Sequence, residues 1–211
     1  MAILVIDTCL AACQVGLFDC GRLIFGLSQP MERGHQERLA PMTAEVMAGA
    51  KASFSDLSRI SVTIGPGSFT GLRVGLAFAK GLHLATGAPL LGIGTLAALA
   101  ASASADGLTA GVIDARRGMV YLQAFGNGDP LSAPEILPAS DAASRLEVIA
   151  PGLWQVLGPG AALLIDAANV ETHELAAPDV LSLGELAATA TASGEVTPLY
   201  LRAPDAKPMA T

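Results

Sequence analysis

Two short stretches carry residue types that could do chemistry. The first is Gly65-Pro66-Gly67-Ser68-Phe69-Thr70-Gly71-Leu72-Arg73-Val74-Gly75, set between a β-type run at 60–64 and a long apolar run at 72–85. A glycine-rich turn that leaves a strand and opens a helix can hold phosphate, because backbone N–H groups and the positive end of the helix dipole converge there. The second is Asp7-Thr8-Cys9, small polar groups that close the first β-type run. An aspartate and a hydroxyl at a strand end can bind a metal ion or a phosphate. The glycine turn fits neither common phosphate fingerprint, however. No Lys-Ser/Thr follows a glycine, as a P-loop requires, and Gly65, Gly67 and Gly71 are spaced one residue too long for a dinucleotide turn. The glycines run on into the helix instead, with Gly71, Gly75 and Ala79 at i, i+4, i+8 beside Leu72, Leu76 and Phe78. Glycine inside a helix costs about 1 kcal/mol relative to alanine, and a helix that accepts the cost usually lets another backbone come close. The stretch reads as a packing surface first and a phosphate site second.

The elements that must position these turns follow from the hydrophobic patterning. Runs at 2–8, 13–18 and 22–27 alternate as strands, with Asp19-Cys20-Gly21 a turn between the last two. A helix is expected from near Glu37 to Ala50, with Leu39, Met42, Val46 and Ala50 as its apolar stripe. Pro41 is tolerated there only if the helix starts just before it. His35 has no second histidine nearby and reads as a capping, surface residue. Next come a strand at 60–64, a helix at about 70–85, a strand at 89–93 and an alanine-rich helix at 95–105. After a linker at 102–107 the pattern restarts. Strands at 108–115 and 120–125 are joined by Arg116-Arg117-Gly118-Met119, and 127–138 is a loop. A short helix at 140–146, a Gly/Pro-broken stretch at 148–164, a helix at 179–193 with Leu181, Leu186 and Ala190 inward, and an extended tail at 197–204 complete the chain. The plan is α/β with two lobes, 1–105 completed by about 180–211, and a smaller 106–179.

Bulk composition removes several function classes. The chain has 211 residues, enough for one domain or two small lobes with a buried core. Its hydrophobic fraction of 52% and mean hydropathy of +0.52 come from Ala, Leu, Val and Gly, with 4% aromatics. The most apolar window, 85–101, is broken by Gly87, Pro89, Gly92 and Gly94, so no spanning helix is expected. Met1-Ala2-Ile3-Leu4 lacks a basic n-region, which predicts a cytoplasmic protein. A net charge of −7, with no basic cluster beyond Arg116-Arg117, predicts weak nucleic-acid binding by the chain itself. Cys9, Cys13 and Cys20 lack C-x-x-C spacing and read as small structural thiols.

Five motifs, in order along the chain, resemble one family. They are ILVIDTCLAAC (3–13), GHQERLAPM (34–42), GPGSFTGLRVGLAFAKGL (65–82), DARRGMVY (114–121) and PLYLRAPDAK (198–207). Together they closely resemble the TsaB, or YeaZ, family, the non-catalytic subunits of the bacterial machinery that makes N6-threonylcarbamoyladenosine (t6A) in tRNA. The resemblance implies an acetate kinase/Hsp70/actin-like (ASKHA) fold of two RNase H-like lobes, the second small and degenerate. It implies a TsaD-type catalytic paralogue and a TsaE-type ATPase as partners, a homodimer when alone, and tRNA contact only through the complex. No cofactor is implied beyond weak nucleotide contact at Asp7, Thr8 and Cys9, and Cys9 stands where many members have Ser. The catalytic paralogues hold a metal with H-x-x-x-H. Here those positions fall on Thr95 and Leu99, neither of which replaces imidazole.

The partner and dimer face is expected on two helices. It comprises His35, Glu37, Leu39, Met42 and Val46 on the first, and Gly71, Leu72, Arg73, Gly75, Leu76, Ala79 and Lys80 on the second. Two rival readings are a small-molecule kinase or ATPase of the same superfamily and a protease. No Ser/His/Asp or HExxH arrangement supports the protease.

Overall fold

The computed structural model describes residues 2–103, 106–190 and 195–202. The expected segments at 191–193 and 203–207 lie outside these residues. The first sheet is built from β1 (Ala2–Asp7), β2 (Ala12–Asp19), β3 (Arg22–Pro30), β4 (Leu57–Thr63) and β5 (Leu90–Ile93), in the order β3-β2-β1-β4-β5. The meander β1-β2-β3 is antiparallel, whereas β4 and β5 run parallel to β1. Those parallel pairings need crossovers, supplied by α1 (His35–Gly49) and α2 (Phe69–Thr86). On the outer strand a bulge pairs Leu17 with Phe25 and Phe18 with Leu23, which turns Ile24 out to solvent.

Strand periodicity sorts the core. Leu4 and Ile6 of β1, with Val15, Leu17, Ile60 and Val62, pack against Leu39, Met42, Val46, Leu76 and Ala79 of α1 and α2. Ile3 and Val5 face the other way, onto α3 (Thr95–Ala100) and α5 (Val180–Thr189) through Ala98, Leu183 and Ala187. Gly184 lets α5 sit directly on the Phe18 ring. The inward residues of α5 are thus Ser182, Leu183 and Ala187, with the expected Leu186 packed half-buried against them, whereas the expected Leu181 is 49% exposed.

The second sheet is richer than the pattern foretells. It joins β6 (Leu108–Arg116), β7 (Met119–Gly126), β8 (Asp129–Pro130), β9 (Glu135–Pro138), β10 (Trp154–Leu157) and β11 (Val170–His173), in the order β11-β10-β6-β7-β8 with β9 also on β7. The stretch expected to be loop at 127–138 holds β8 and β9, and the broken stretch at 148–164 holds β10. Strands of two to four residues are too short to show an alternation. Trp154, Val112 and Leu122 pack against Ala142 and Leu146 of α4 (Ala139–Ile149). The other face carries Ile113 and Tyr121 against Leu96 and Leu99 of α3. α3 is therefore the wedge between the two sheets, and Gly111 admits it because a Cβ there would collide with the Leu96 carbonyl.

Pro41 lies in the interior of α1, which begins at His35, two residues before the expected start. Gly34, at φ 88°, turns the chain into the helix, and its carbonyl accepts from both Glu37 and Arg38. Glu37 and Pro41 are both exposed, so water can serve the Glu37 carbonyl that a proline cannot.

Candidate functional site

The Asp7-Thr8-Cys9 turn and the glycine turn meet, and each fills the other. The Ser68 N–H donates to the Cys9 carbonyl at 2.7 Å, and Thr8 Oγ1 donates to the Gly71 carbonyl at 2.7 Å. Ser68 Oγ accepts from the Gly71 N–H at 3.3 Å, capping α2. A Cβ at Gly67 would collide with the Cys9 carbonyl, at Gly71 with the Thr8 carbonyl, and at Gly75 with Thr8 Oγ1. The close backbone approach predicted for this helix is thus made within the chain, by the end of β1. No space for a phosphate is left between the two turns.

Asp7 is fully buried beneath them. Its Oδ1 accepts from Thr63 Oγ1 at 2.6 Å and the Cys9 N–H at 3.0 Å, and its Oδ2 from Gln14 Nε2 at 3.2 Å. Burial pushes its pKa above the usual carboxylate range, while these hydrogen bonds and nearby His35 pull part of the way back. Burial, then the adjacent Asp7, holds the Cys9 thiol up at about 12. Cys13 lies at about 11 for the same two reasons. Such thiols stay protonated at neutral pH and are poor nucleophiles.

Above the turns a cleft of about 840 Å³ opens between the sheets. Gly67, Ser68 and Glu32 line one wall; Asp114, Arg116 and Glu174 line the other. Arg116 is tied down by Asp114, whose Oδ1 accepts from its backbone N–H at 2.7 Å and whose Oδ2 lies 3.4 Å from its guanidinium. With Asp114 paired to Arg116, the carboxylates of Glu32 and Glu174 remain, and their charge disfavours a polyphosphate. Among the described residues no group of three or more His, Cys, Asp or Glu is placed to hold a metal ion.

The expected partner face is corrected by the packing. His35, Leu39, Met42, Val46, Gly71, Leu72, Gly75, Leu76 and Ala79 are all buried in this chain's own core. A residue already covered by the sheet cannot also meet a partner. His35, expected on the surface, is 6% exposed, with Nε2 3.2 Å from the Ala12 carbonyl. Only Glu37, Arg73 and Lys80 of the expected set reach the surface. Arg73 lies 3.7 Å over the Phe69 ring and donates from Nε to the Tyr200 hydroxyl at 3.1 Å, while Lys80 stands 3.7 Å from Glu195.

The outward faces hold a second set of small residues in the same helices. On α1 they are Ala40, Ala44 and Ala48; on α2 they are Ala77, Gly81 and Ala85, again at i, i+4, i+8. Leu84 beside them is 83% exposed, and a Cβ at Gly81 would meet nothing within 4 Å. The two helices lie side by side on one face of the first sheet, so the two stripes share a surface. The signal was present as a second small-residue phase in α2, with Leu84 as its apolar companion.

Comparison with known proteins decides the lineage. The TsaD family, described as tRNA N6-adenosine threonylcarbamoyltransferase, matches residues 29–194. An uncharacterized protein of Mycobacterium tuberculosis is 33% identical over 99% of this chain and 95% of its own length. The "tRNA threonylcarbamoyladenosine biosynthesis protein TsaB" of Escherichia coli is 37% identical over 57% of this chain and 53% of its own. The solved structure of YeaZ from Pseudomonas aeruginosa superposes with a TM-score of 0.80 at 26% identity, covering 95% of this chain and 99% of that one.

The chain belongs to the TsaB/YeaZ family.

An ROK hexokinase from Thermus thermophilus, at 15% identity and a TM-score of 0.53, shares the ASKHA fold. Against that background the two lobes make sense: each sheet keeps a strand-turn-strand opening, and the cleft lies between them. Thr95 and Leu99, the positions on which the expected H-x-x-x-H pattern falls, are buried in α3, with Leu99 packed on Ile113. The glycines of Gly158-Pro159-Gly160 are used in packing, since a Cβ would collide with the Val112 carbonyl at the first and reach the Asp114 N at 2.8 Å at the last.

Proposed function

We propose that this chain is a non-catalytic scaffold and activator subunit for tRNA threonylcarbamoyladenosine biosynthesis. The TsaB-named relatives support the pathway, and the outward faces of α1 and α2 carry the reading of its role. Alanine and glycine at i, i+4, i+8 on both helices let a second helix pair approach closely, and Leu84, Val74 and Phe78 supply apolar contact. The occupant is the corresponding helix pair of a TsaD-type catalytic paralogue, with a TsaE-type ATPase joining the assembled pair. When the paralogue is absent, the same patch closes on a second copy about a two-fold axis. The acidic chain meets tRNA only through the complex, in the cytoplasm.

A non-catalytic role is supported by the filled phosphate turn, the buried Asp7 and the acid-lined cleft. The kinase reading would need an anion cradle where the Thr8 and Cys9 carbonyls now sit. The test is co-purification of this chain with the TsaD-type protein, followed by tRNA modification with and without it. Gly81→Leu is expected to abolish capture and stimulation while the chain stays folded; unchanged capture would sink the proposal. ATP hydrolysis by the purified chain is expected at background.

A further inference from the structure

The cleft is held very differently at its two sides. Where 174–179 crosses back to the first lobe, three hydrogen bonds tie it. The Ala11 N–H donates to the Ala176 carbonyl at 3.3 Å, Gln14 Nε2 to the Pro178 carbonyl at 2.9 Å, and the Asp179 N–H to Ser102 Oγ at 3.0 Å. Gln14 is itself held by buried Asp7. This side is a hinge with little freedom.

At the other side, near the glycine turn, the lobes are joined by residues 195–202. This extended segment first fastens to the first lobe. Val196 packs on that lobe's core beside Gly92, and the Leu199 N–H donates to the Ile64 carbonyl at 2.7 Å. Gly65, at φ +103°, makes room for the Leu199 carbonyl, which a Cβ there would approach to 3.0 Å. Tyr200 then lies on the first turn of α2, its ring centroid 5.6 Å from that of Phe69 and its hydroxyl accepting from Arg73. Two residues later the segment crosses to the second lobe, where Arg202 Nη1 donates to the Ala115 carbonyl at 3.1 Å. Gly67 and Ser68, next to the Leu199 anchor, and Ala115, the Arg202 acceptor, line opposite walls of the cleft.

We propose that residues 195–202 are a strap that sets the width of the interlobe cleft. The Tyr200 clasp on Phe69 and Arg73 is its fixed end, and the Arg202–Ala115 hydrogen bond is its releasable end. A lobe rotation about the 174–179 hinge, with the second sheet pivoting on the α3 wedge, that widens the cleft at the glycine turn must either break that bond or peel Tyr200 from α2. A single charge-assisted, partly buried hydrogen bond is a weak latch, and the half-exposed rings are a modest clasp, so the strap restrains opening without forbidding it. The inference is independent of which partner covers the helices.

The test is the separation between spin labels placed at Thr70, on α2, and Ser140, at the start of α4 beside the β6–β7 turn. Both positions are exposed, and the full-length chain carries Cys20→Ser so that only the introduced cysteines react. With the strap intact the distance distribution is expected to be narrow. Arg202→Ala is expected to shift it to longer distances and broaden it, and Tyr200→Ala to do the same. Arg202→Lys, which still donates to the Ala115 carbonyl, keeps the narrow distribution. In Tyr200→Ala the Leu199 amide is also expected to exchange roughly fivefold to tenfold faster. Unchanged melting curves show that each variant is folded. Distributions for Arg202→Ala and Tyr200→Ala that superimpose on the parent overturn the proposal.

Discussion

The two faces of α2 carry the same spacing of small residues for opposite reasons. Inward, Gly71, Gly75 and Ala79 are pressed against the end of β1 and against β4, with no room for an added methyl at either glycine. Outward, Ala77, Gly81 and Ala85 face open space. A period of four tells that something comes close to a helix. It does not tell whether that something belongs to the same chain. The answer depends on rotational phase, and phase is fixed by which side the larger residues Leu72 and Leu76 bury.

Substitution on the inward face has the largest expected effect. Gly71→Ala gains about 1 kcal/mol of helix propensity but drives a Cβ into the Thr8 carbonyl, a backbone atom held in a strand end. Overpacking of that kind costs about 3 kcal/mol or more, so a net loss of about 2 kcal/mol or greater in unfolding free energy is expected by denaturant titration. A neutral result would show that the β1 turn can move, and would erase the difference between the faces.

Asp7→Asn tests the floor beneath the same face. Asn replaces one acceptor oxygen with an NH2 that confronts a donor, a cost of about 1–3 kcal/mol. The pH dependence has a definite sign. Because the folded pKa of Asp7 is raised, its contribution to stability is complete below about pH 4 and is lost as pH climbs through the folded value. The deficit of Asp7→Asn should therefore be largest in acid and shrink as pH rises. A deficit that grows with pH would contradict the burial described for this carboxyl.

Gly81→Leu is the outward counterpart. Stability should be unchanged or raised by up to about 1 kcal/mol, since leucine is the better helix former and meets no neighbour. Association is what should fail, read as loss of the dimer peak in size-exclusion chromatography. Gly75→Leu, by contrast, should damage folding itself. The smallest effect is kinetic: one thiol per native chain, exposed Cys20, should react quickly with an aromatic disulfide reagent. Cys9 and Cys13, under the inward face, should react only after unfolding.

Much of the first lobe was legible in the residues. Alternation through Ile3, Leu4, Val5 and Ile6 and the 3.6-residue stripe through Leu39, Met42 and Val46 are long enough to specify type and place. The Gly65–Gly71 turn was legible as a strand-to-helix turn, since it links β4 to α2. Three things were not legible. The strands β8 to β11 are too short for a period, and their pairings are long-range. His35 looked exposed because nothing local marks a histidine that β2 covers. Gly71 and Gly75 turned out to face Thr8, which is 63 positions away from Gly71, and Ala79 the core of the first sheet, contacts that local spacing does not mark.

One feature of the outer strand constrains how any assembly can form. The bulge that throws Ile24 outward interrupts the run of unpaired backbone groups along β3. At the opposite edge, four-residue β5 has Val196 leaning over Gly92. The bulge confines the regular part of the β3 border to residues 25–30, and at both edges the length open to strand addition is short.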